Sequence, residues 1–213
     1  KEDKLDLHYF EINIRAQIEA RVNANILGGT VEEDSIMTNE EKKILVERTV
    51  ELVKGSVPVI INIAEQSTKG AIEAAQRTHD YGAQGLMLLP PMRYKADKRE
   101  TLTYFQKIAA STKLPIMIYN NPVDYGIEVT LDMFDALQEY KNIQAVKEST
   151  RDISNVTRMK NRFGDRYRIL CGVDTLAMES MVMGADGWVA GLVCAFPKET
   201  VAIYKLVKSG KIA

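Results

Sequence analysis

The sequence predicts an α/β fold, a (β/α)8 (TIM) barrel with its first strand missing from the chain, and three observations carry that prediction. Short apolar runs recur about every 25 to 30 residues, each followed by a longer stretch with helical periodicity. The runs are apolar at nearly every position, as parallel strands covered on both faces must be. The unusual polar residues gather at the C-terminal ends of the runs, where barrels of this class carry their sites: Thr30, Tyr119, Asn120, Lys147, Gly172 and Asp174.

In chain order, a helix is expected from about Leu5 to Val22 with no strand before it, then a strand at Asn25-Ile-Leu27. Between Thr38 and Val53, Ile44, Leu45, Val46, Val50, Leu52 and Val53 are set among Glu and Lys, and Thr38 with Glu41 three residues on forms a capping box. Further strands are expected at Val57 to Ile63, Gly85 to Leu89, Pro115 to Tyr119, Ile143 to Lys147, Arg168 to Cys171 and Trp188 to Ala190. The helix opened by Thr130 carries Met133, Phe134 and Leu137 at spacings of three and four, and Gly82, Gly164 and Gly184 fall where helices should stop. This reading gives seven strands and eight helices. A dinucleotide-binding sheet would want GxGxxG after its first strand, and Gly28-Gly-Thr30 lacks that spacing. A closed barrel needs eight strands and about 250 residues. Residues 1–213 are therefore expected to be one barrel domain lacking its first strand.

With 213 residues, 46% of them hydrophobic, the chain can bury one large core. A formal net charge of -1, with no Lys/Arg stripe interleaved with aromatics, argues against a nucleic-acid partner. No apolar stretch approaches a membrane span and no signal peptide is expected, so the protein is expected to be soluble and cytoplasmic. Cys171 and Cys194 sit in core-like runs far apart in sequence, which fits thiols in a reducing compartment. His8 and His79 have no partner at metal-ligand spacing, and neither a metal nor a cofactor is expected.

Tyr119 and Lys147 each close an apolar run, Pro115-Ile-Met-Ile-Tyr119 and Ile143-Gln-Ala-Val-Lys147. A lysine at the end of a buried strand is an amine in an apolar pocket, where desolvation favours the free base that attacks a ketone to form an imine. A phenol one strand away is placed to shuttle the proton. The plainer alternative is that both residues rim the sheet, the lysine extending its amine to water. Gly28-Gly29 is either a tight turn or a loop whose backbone N–H groups meet an anion at the start of a helix. Asp174, ahead of Thr-Leu-Ala-Met, reads as a helix cap before it reads as a site residue.

Four motifs in order then carry a resemblance: Gly29-Thr-Val-Glu-Glu33 for GTxGE, Tyr119-Asn-Asn-Pro122 for YNxP, Val146-Lys-Glu-Ser149 for K-[ED]-S, and Gly172-Val-Asp174 with Gly184-Ala-Asp-Gly187. On these the chain resembles the dihydrodipicolinate synthase and N-acetylneuraminate lyase family of Schiff-base lyases, from shortly after the first strand to the eighth helix. In that family C-terminal helices follow the barrel, and the chain to Ala213 is expected to lack them. The resemblance implies an imine between Lys147 and a pyruvate-type 2-keto acid, with no other cofactor. It also implies a proton relay through Tyr119 assisted by Thr30, with the Thr30 and Val31 N–H groups on the substrate carboxylate. Gly29, Asn121, Asp124, Gly172 and Val189 are implied as further substrate contacts, and a homo-oligomer, dimer or tetramer, as the assembly. The departures are Glu32 at the glycine of GTxGE, Arg21 where glycine is common, and Met92 and Arg93 where two tyrosines are common, with Tyr94 one residue late. Asp124 fills the position where synthases place an arginine for the second substrate's carboxylate, and a carboxylate cannot do that work. The expected subtype is therefore catabolic, a 4-hydroxy-1-pyrroline-2-carboxylate deaminase or a 2-keto-3-deoxy sugar-acid lyase. A 4-hydroxy-tetrahydrodipicolinate synthase of lysine biosynthesis is the alternative. Two other readings stay open: a catalytically impaired keto-acid-binding barrel, suggested by Glu32 and Arg93, and a phosphate-binding barrel in which Lys147 forms no imine.

Overall fold

A computed structural model describes residues 4–29, 36–91 and 95–212 of the chain. Among them are seven strands: β1 (Asn25–Leu27), β2 (Val59–Ile63), β3 (Gly85–Leu88), β4 (Ile116–Asn120), β5 (Ile143–Glu148), β6 (Arg168–Cys171) and β7 (Gly187–Trp188). Each pairs in parallel with the next, in the order β1 to β7. That unbroken order is the wall of a (β/α)8 barrel; a doubly wound sheet would reverse. All seven expected runs are strands, with ends displaced by a few residues. Among the described residues β1 and β7 are the two edges, and no eighth strand joins them.

The helices follow the strands in turn: α1 (Leu7–Ala20), α2 (Asn39–Val53), α3 (Thr68–Asp80), α4 (Lys98–Ser111), α5 (Pro122–Tyr125), α6 (Leu131–Leu137), α7 (Ser154–Phe163), α8 (Ala177–Val182) and α9 (Pro197–Lys208). The Thr38/Glu41 capping box opens α2 as the spacing predicts, and a second box, Asp97 with Glu100, opens α4. Gly82, Gly164 and Gly184 follow helix ends with φ of 89°, 55° and 109°, conformations glycine adopts without penalty. The helix beyond the expected eight is α5. Asn121 caps it through its side chain and Pro122 occupies its first turn, where a missing N–H costs nothing. Arg21 ends α1 at φ 66°, so the glycine-type position noted in the sequence is a left-handed C-cap here filled at a cost of roughly 1–2 kcal/mol.

Strand alternation sorts the side chains into two cores. The larger lies between sheet and helices and takes Leu27, Ile61, Leu86, Ile118, Val146 and Ile169 from the strands. The smaller fills the barrel interior with Met87, Leu89, Met117 and Tyr119, packed against Ile26, Ile60, Ala145, Leu170 and Val189. Helix α1 packs on α2 and α9 and spans the gap between the edges. Asn25 Nδ2 donates to Gln17 Oε1 at 2.9 Å, Gln17 Nε2 donates to Asn13 Oδ1, and Asn13 Nδ2 donates to the carbonyl of Cys194 at 2.8 Å. These bonds tie the start of β1 to the segment after β7. Cys171 is buried as expected, whereas Cys194 is exposed, because its segment turns as a 3-10 helix (Leu192–Cys194) on the surface. Among the described residues no helix is long and apolar enough to cross a membrane.

Candidate active site

Tyr119 and Lys147 are register partners on β4 and β5, as Met117 is with Ala145. Residues two apart share a face, so the pairing that sends Met117 and Ala145 into the interior sends Tyr119 and Lys147 there too, one layer higher. The Lys147 Nζ stands 3.9 Å from the centroid of the Tyr119 ring, a cation–π distance. Both line a cavity of about 1880 Å3 that runs through the interior of the wall. Lys147 is partly buried, short of the enclosed amine expected from the sequence. Tyr119 is buried, its ring held edge-on by Tyr125 at 5.5 Å.

One amide sets the phenol's hydrogen bonding. Asn121 Nδ2 donates to Tyr119 Oη at 3.1 Å and to Asp124 Oδ2 at 2.7 Å, while its Oδ1 accepts from the Asp124 N–H at 3.3 Å. With Oη accepting from Asn121 and no acceptor for its O–H among the described residues, the Tyr119 proton is left to face the cavity. Asp124 in turn pairs with Arg151, Nη2 to Oδ1 3.6 Å, both side chains about half exposed. A guanidinium thus stands beside the carboxylate that fills the arginine position, and it comes from the loop after β5.

Arg151 holds φ 65°. The other non-glycine residues at positive φ among the described residues, Arg21 and Lys54, are C-caps of α1 and α2; Arg151 caps no helix end. A left-handed backbone costs a non-glycine residue roughly 1–2 kcal/mol, and an exposed ion pair gives back about 0–1 kcal/mol. The pair alone therefore does not account for an arginine at this position.

The outward face of the same strands fixes the inward pair. Asn120 and Glu148 are also register partners, and Asn120 Nδ2 donates to Glu148 Oε2 at 3.2 Å. Asn155 Nδ2 donates to the same oxygen at 2.8 Å and the Thr150 N–H to Oε1 at 2.8 Å. Burial pushes the Glu148 carboxyl above the usual carboxylate range, and the hydrogen bonds from Thr150, Asn120 and Asn155 oppose that shift in part. Asn120 also brackets Val129, accepting from its N–H and donating to its carbonyl.

Gly172 lies against the lysine stem. A β-carbon there would meet Ser149 Oγ at 2.1 Å and Lys147 Cγ and Cε at 2.7 and 2.9 Å. Val189 and Gly29 line the same cavity, so the sequence-derived set of Lys147, Tyr119, Asn121, Asp124, Gly172, Val189 and Gly29 is brought together. Thr30, Val31 and Glu32, and Met92, Arg93 and Tyr94, lie outside the described residues. Asp174 is not the local helix cap expected of it, since α8 begins after Leu176 with no side-chain cap. Its carboxylate instead accepts from Trp188 Nε1 at 3.0 Å and from the N–H groups of Gly191 at 3.1 Å and Leu192 at 2.8 Å, pinning the loop after β7. The Gly191 and Leu192 amides are thereby already bonded to Asp174. Sequence reasoning missed Arg151, Tyr125 and Ser149, whose buried Oγ has no hydrogen-bond partner among the described residues. Arg151 sits in the loop after β5 and Tyr125 ends the single-turn helix α5, neither long enough to show a periodicity, and Ser149 stands out only as the last residue of the K-[ED]-S motif.

A match to the dihydrodipicolinate synthetase family covers residues 1–213. The chain is 34% identical over 200 residues to a 4-hydroxy-tetrahydrodipicolinate synthase of Exiguobacterium sibiricum, covering 94% of this chain and 68% of that protein. It is 33% identical over 183 residues to one from Clostridium perfringens, covering 86% of this chain and 63% of that one. The solved structure of the 4-hydroxy-tetrahydrodipicolinate synthase from Methylacidiphilum fumariolicum superposes with a TM-score of 0.95 at 28% identity, over 99% of this chain and 71% of that one. The chain thus spans about two thirds of the length of these relatives.

Proposed function

The chain belongs to the dihydrodipicolinate synthetase family, a family of lyases, and from that premise we propose that it acts as a 4-hydroxy-tetrahydrodipicolinate synthase, joining pyruvate to a second, aldehyde substrate through an imine on Lys147. The observation that carries the reading is the Lys147 amine set over the Tyr119 ring, with Asn121 leaving the phenol proton to the cavity. In this reading the amine adds to the keto carbon, and Tyr119 supplies the proton with which the carbinolamine hydroxyl leaves as water. Loss of a methyl proton then gives the enamine that attacks the aldehyde. Thr30 assists the relay, and the N–H groups of Thr30 and Val31 hold the keto-acid carboxylate, as the family resemblance implies. No cofactor beyond the imine is needed. A homo-oligomer in the cytoplasm is part of the same proposal.

The catabolic subtype expected from Asp124 is set aside for two reasons. The relatives reported above carry the synthase name, and Arg151 brings a cation beside the carboxylate that fills the arginine position. The test is a comparison of specificity constants for condensation of pyruvate with aspartate semialdehyde, deamination of 4-hydroxy-1-pyrroline-2-carboxylate, and cleavage of a 2-keto-3-deoxy sugar acid. Condensation is expected to be highest. An equal or larger value for either of the others returns the assignment to the catabolic branch.

A further inference from the structure

We infer that Arg151 is the specificity-determining cation of this site, gripping the distal carboxylate of the second substrate, with Asp124 holding the guanidinium over the cavity mouth until that substrate arrives. The inference rests on the condensing reaction proposed above and adds a residue to it. Arg151 and Asp124 line the same cavity as Lys147 and Tyr119. The guanidinium has five N–H donors, and among the described residues its side chain makes one ion pair, at 3.6 Å, and no hydrogen bond. An acid entering the cavity therefore meets a fork whose donors are still to be used, in the geometry that takes a carboxylate bidentately. Asp124 cannot follow the guanidinium far, because Asn121 holds its carboxylate at 2.7 Å and its N–H at 3.3 Å. The Asp124–Arg151 contact is thus long and exposed, and a bidentate ligand competes with it on favourable terms. The backbone at residue 151 is left-handed, a conformation glycine would adopt freely, and from it the side chain reaches Asp124 on α5.

The test compares the wild-type chain with Arg151→Gly and Arg151→Lys. Glycine suits the φ of this position, so the fold should be kept. For an aldehyde bearing a distal carboxylate, such as aspartate semialdehyde or succinic semialdehyde, Arg151→Gly is expected to raise KM by about 10- to 100-fold, the worth of a charge-assisted hydrogen-bonded pair. Arg151→Lys should fall between. For butanal, which has no carboxylate, and for trapping of pyruvate on Lys147, the variants should match the wild type. An unchanged preference for the carboxylate-bearing aldehyde over butanal in Arg151→Gly overturns the inference. Failure of the wild type to trap pyruvate would instead strike at the proposed reaction. In that event calorimetric titration with succinate decides: binding weakened in Arg151→Gly supports the grip, and wild-type binding that is absent or unmoved by the substitution overturns it.

Discussion

Gly172 and Lys147 leave no room between them: a β-carbon on Gly172 would lie 2.7 Å from Lys147 Cγ, closer than packed carbon atoms approach. The lysine stem follows its path because the residue after β6, Gly172, has no side chain. Gly172→Ala should therefore push the stem and the neighbouring Ser149 hydroxyl aside, destabilising the fold by about 1–3 kcal/mol through overpacking. The rate of imine formation should fall at least about 10-fold, since misplacement of a reacting group by an ångström is costly. Single-turnover trapping with pyruvate, beside thermal unfolding, checks both effects. A variant that folds less stably but traps at the wild-type rate would show that Gly172 matters for packing alone.

Tyr119→Phe should keep the ring packed on Tyr125 and remove only the hydroxyl. Asn121 retains Asp124 as an acceptor, so little stability is at stake. Turnover should drop by about 10²- to 10⁴-fold, the usual contribution of a positioned acid or base. Steady-state kinetics and a melting curve on the same sample separate the outcomes. An unchanged kcat would reduce Tyr119 to a packing residue.

Glu148→Gln tests the brace behind the site. Every partner of the carboxylate is a donor, so an amide nitrogen must face one of them, and the expected loss is about 1–3 kcal/mol. The pH dependence follows from the raised carboxyl: where the folded state keeps a proton that the unfolded state has lost, stability falls as pH rises from the ordinary carboxylate range through the raised value. Glutamine has no such window, so the stability gap between wild type and variant should narrow as pH climbs through it. The lowered carboxylates, such as Asp152 and Asp186, gain their stability at lower pH and leave this window clear. Denaturant titrations between about pH 4 and 8 measure the gap; a constant gap contradicts the account.

Much of the fold was legible because local rules and the global arrangement agree. Apolar runs became strands, the Thr38 box opened its helix, and period-two alternation suffices to face Tyr119 and Lys147 into one interior. What escaped the sequence depends on contacts between distant residues. Asp174 looked like a local cap, yet its partners lie 14 to 18 residues away, across β7. The cation beside Asp124 escaped the sequence because Arg151 belongs to the loop after β5 and reaches α5 from a left-handed backbone that no hydrophobic pattern encodes. Lys147 reads as buried from its apolar strand, yet in the fold it is only partly buried.

The most direct test of the account is borohydride reduction of the protein with pyruvate, followed by peptide mass spectrometry. One reduced pyruvyl adduct, confined to the peptide carrying Lys147 and abolished in Lys147→Ala, is the predicted result. No mass gain on the wild-type protein, or a gain on a different lysine, would contradict the claim that Lys147 is the imine-forming residue.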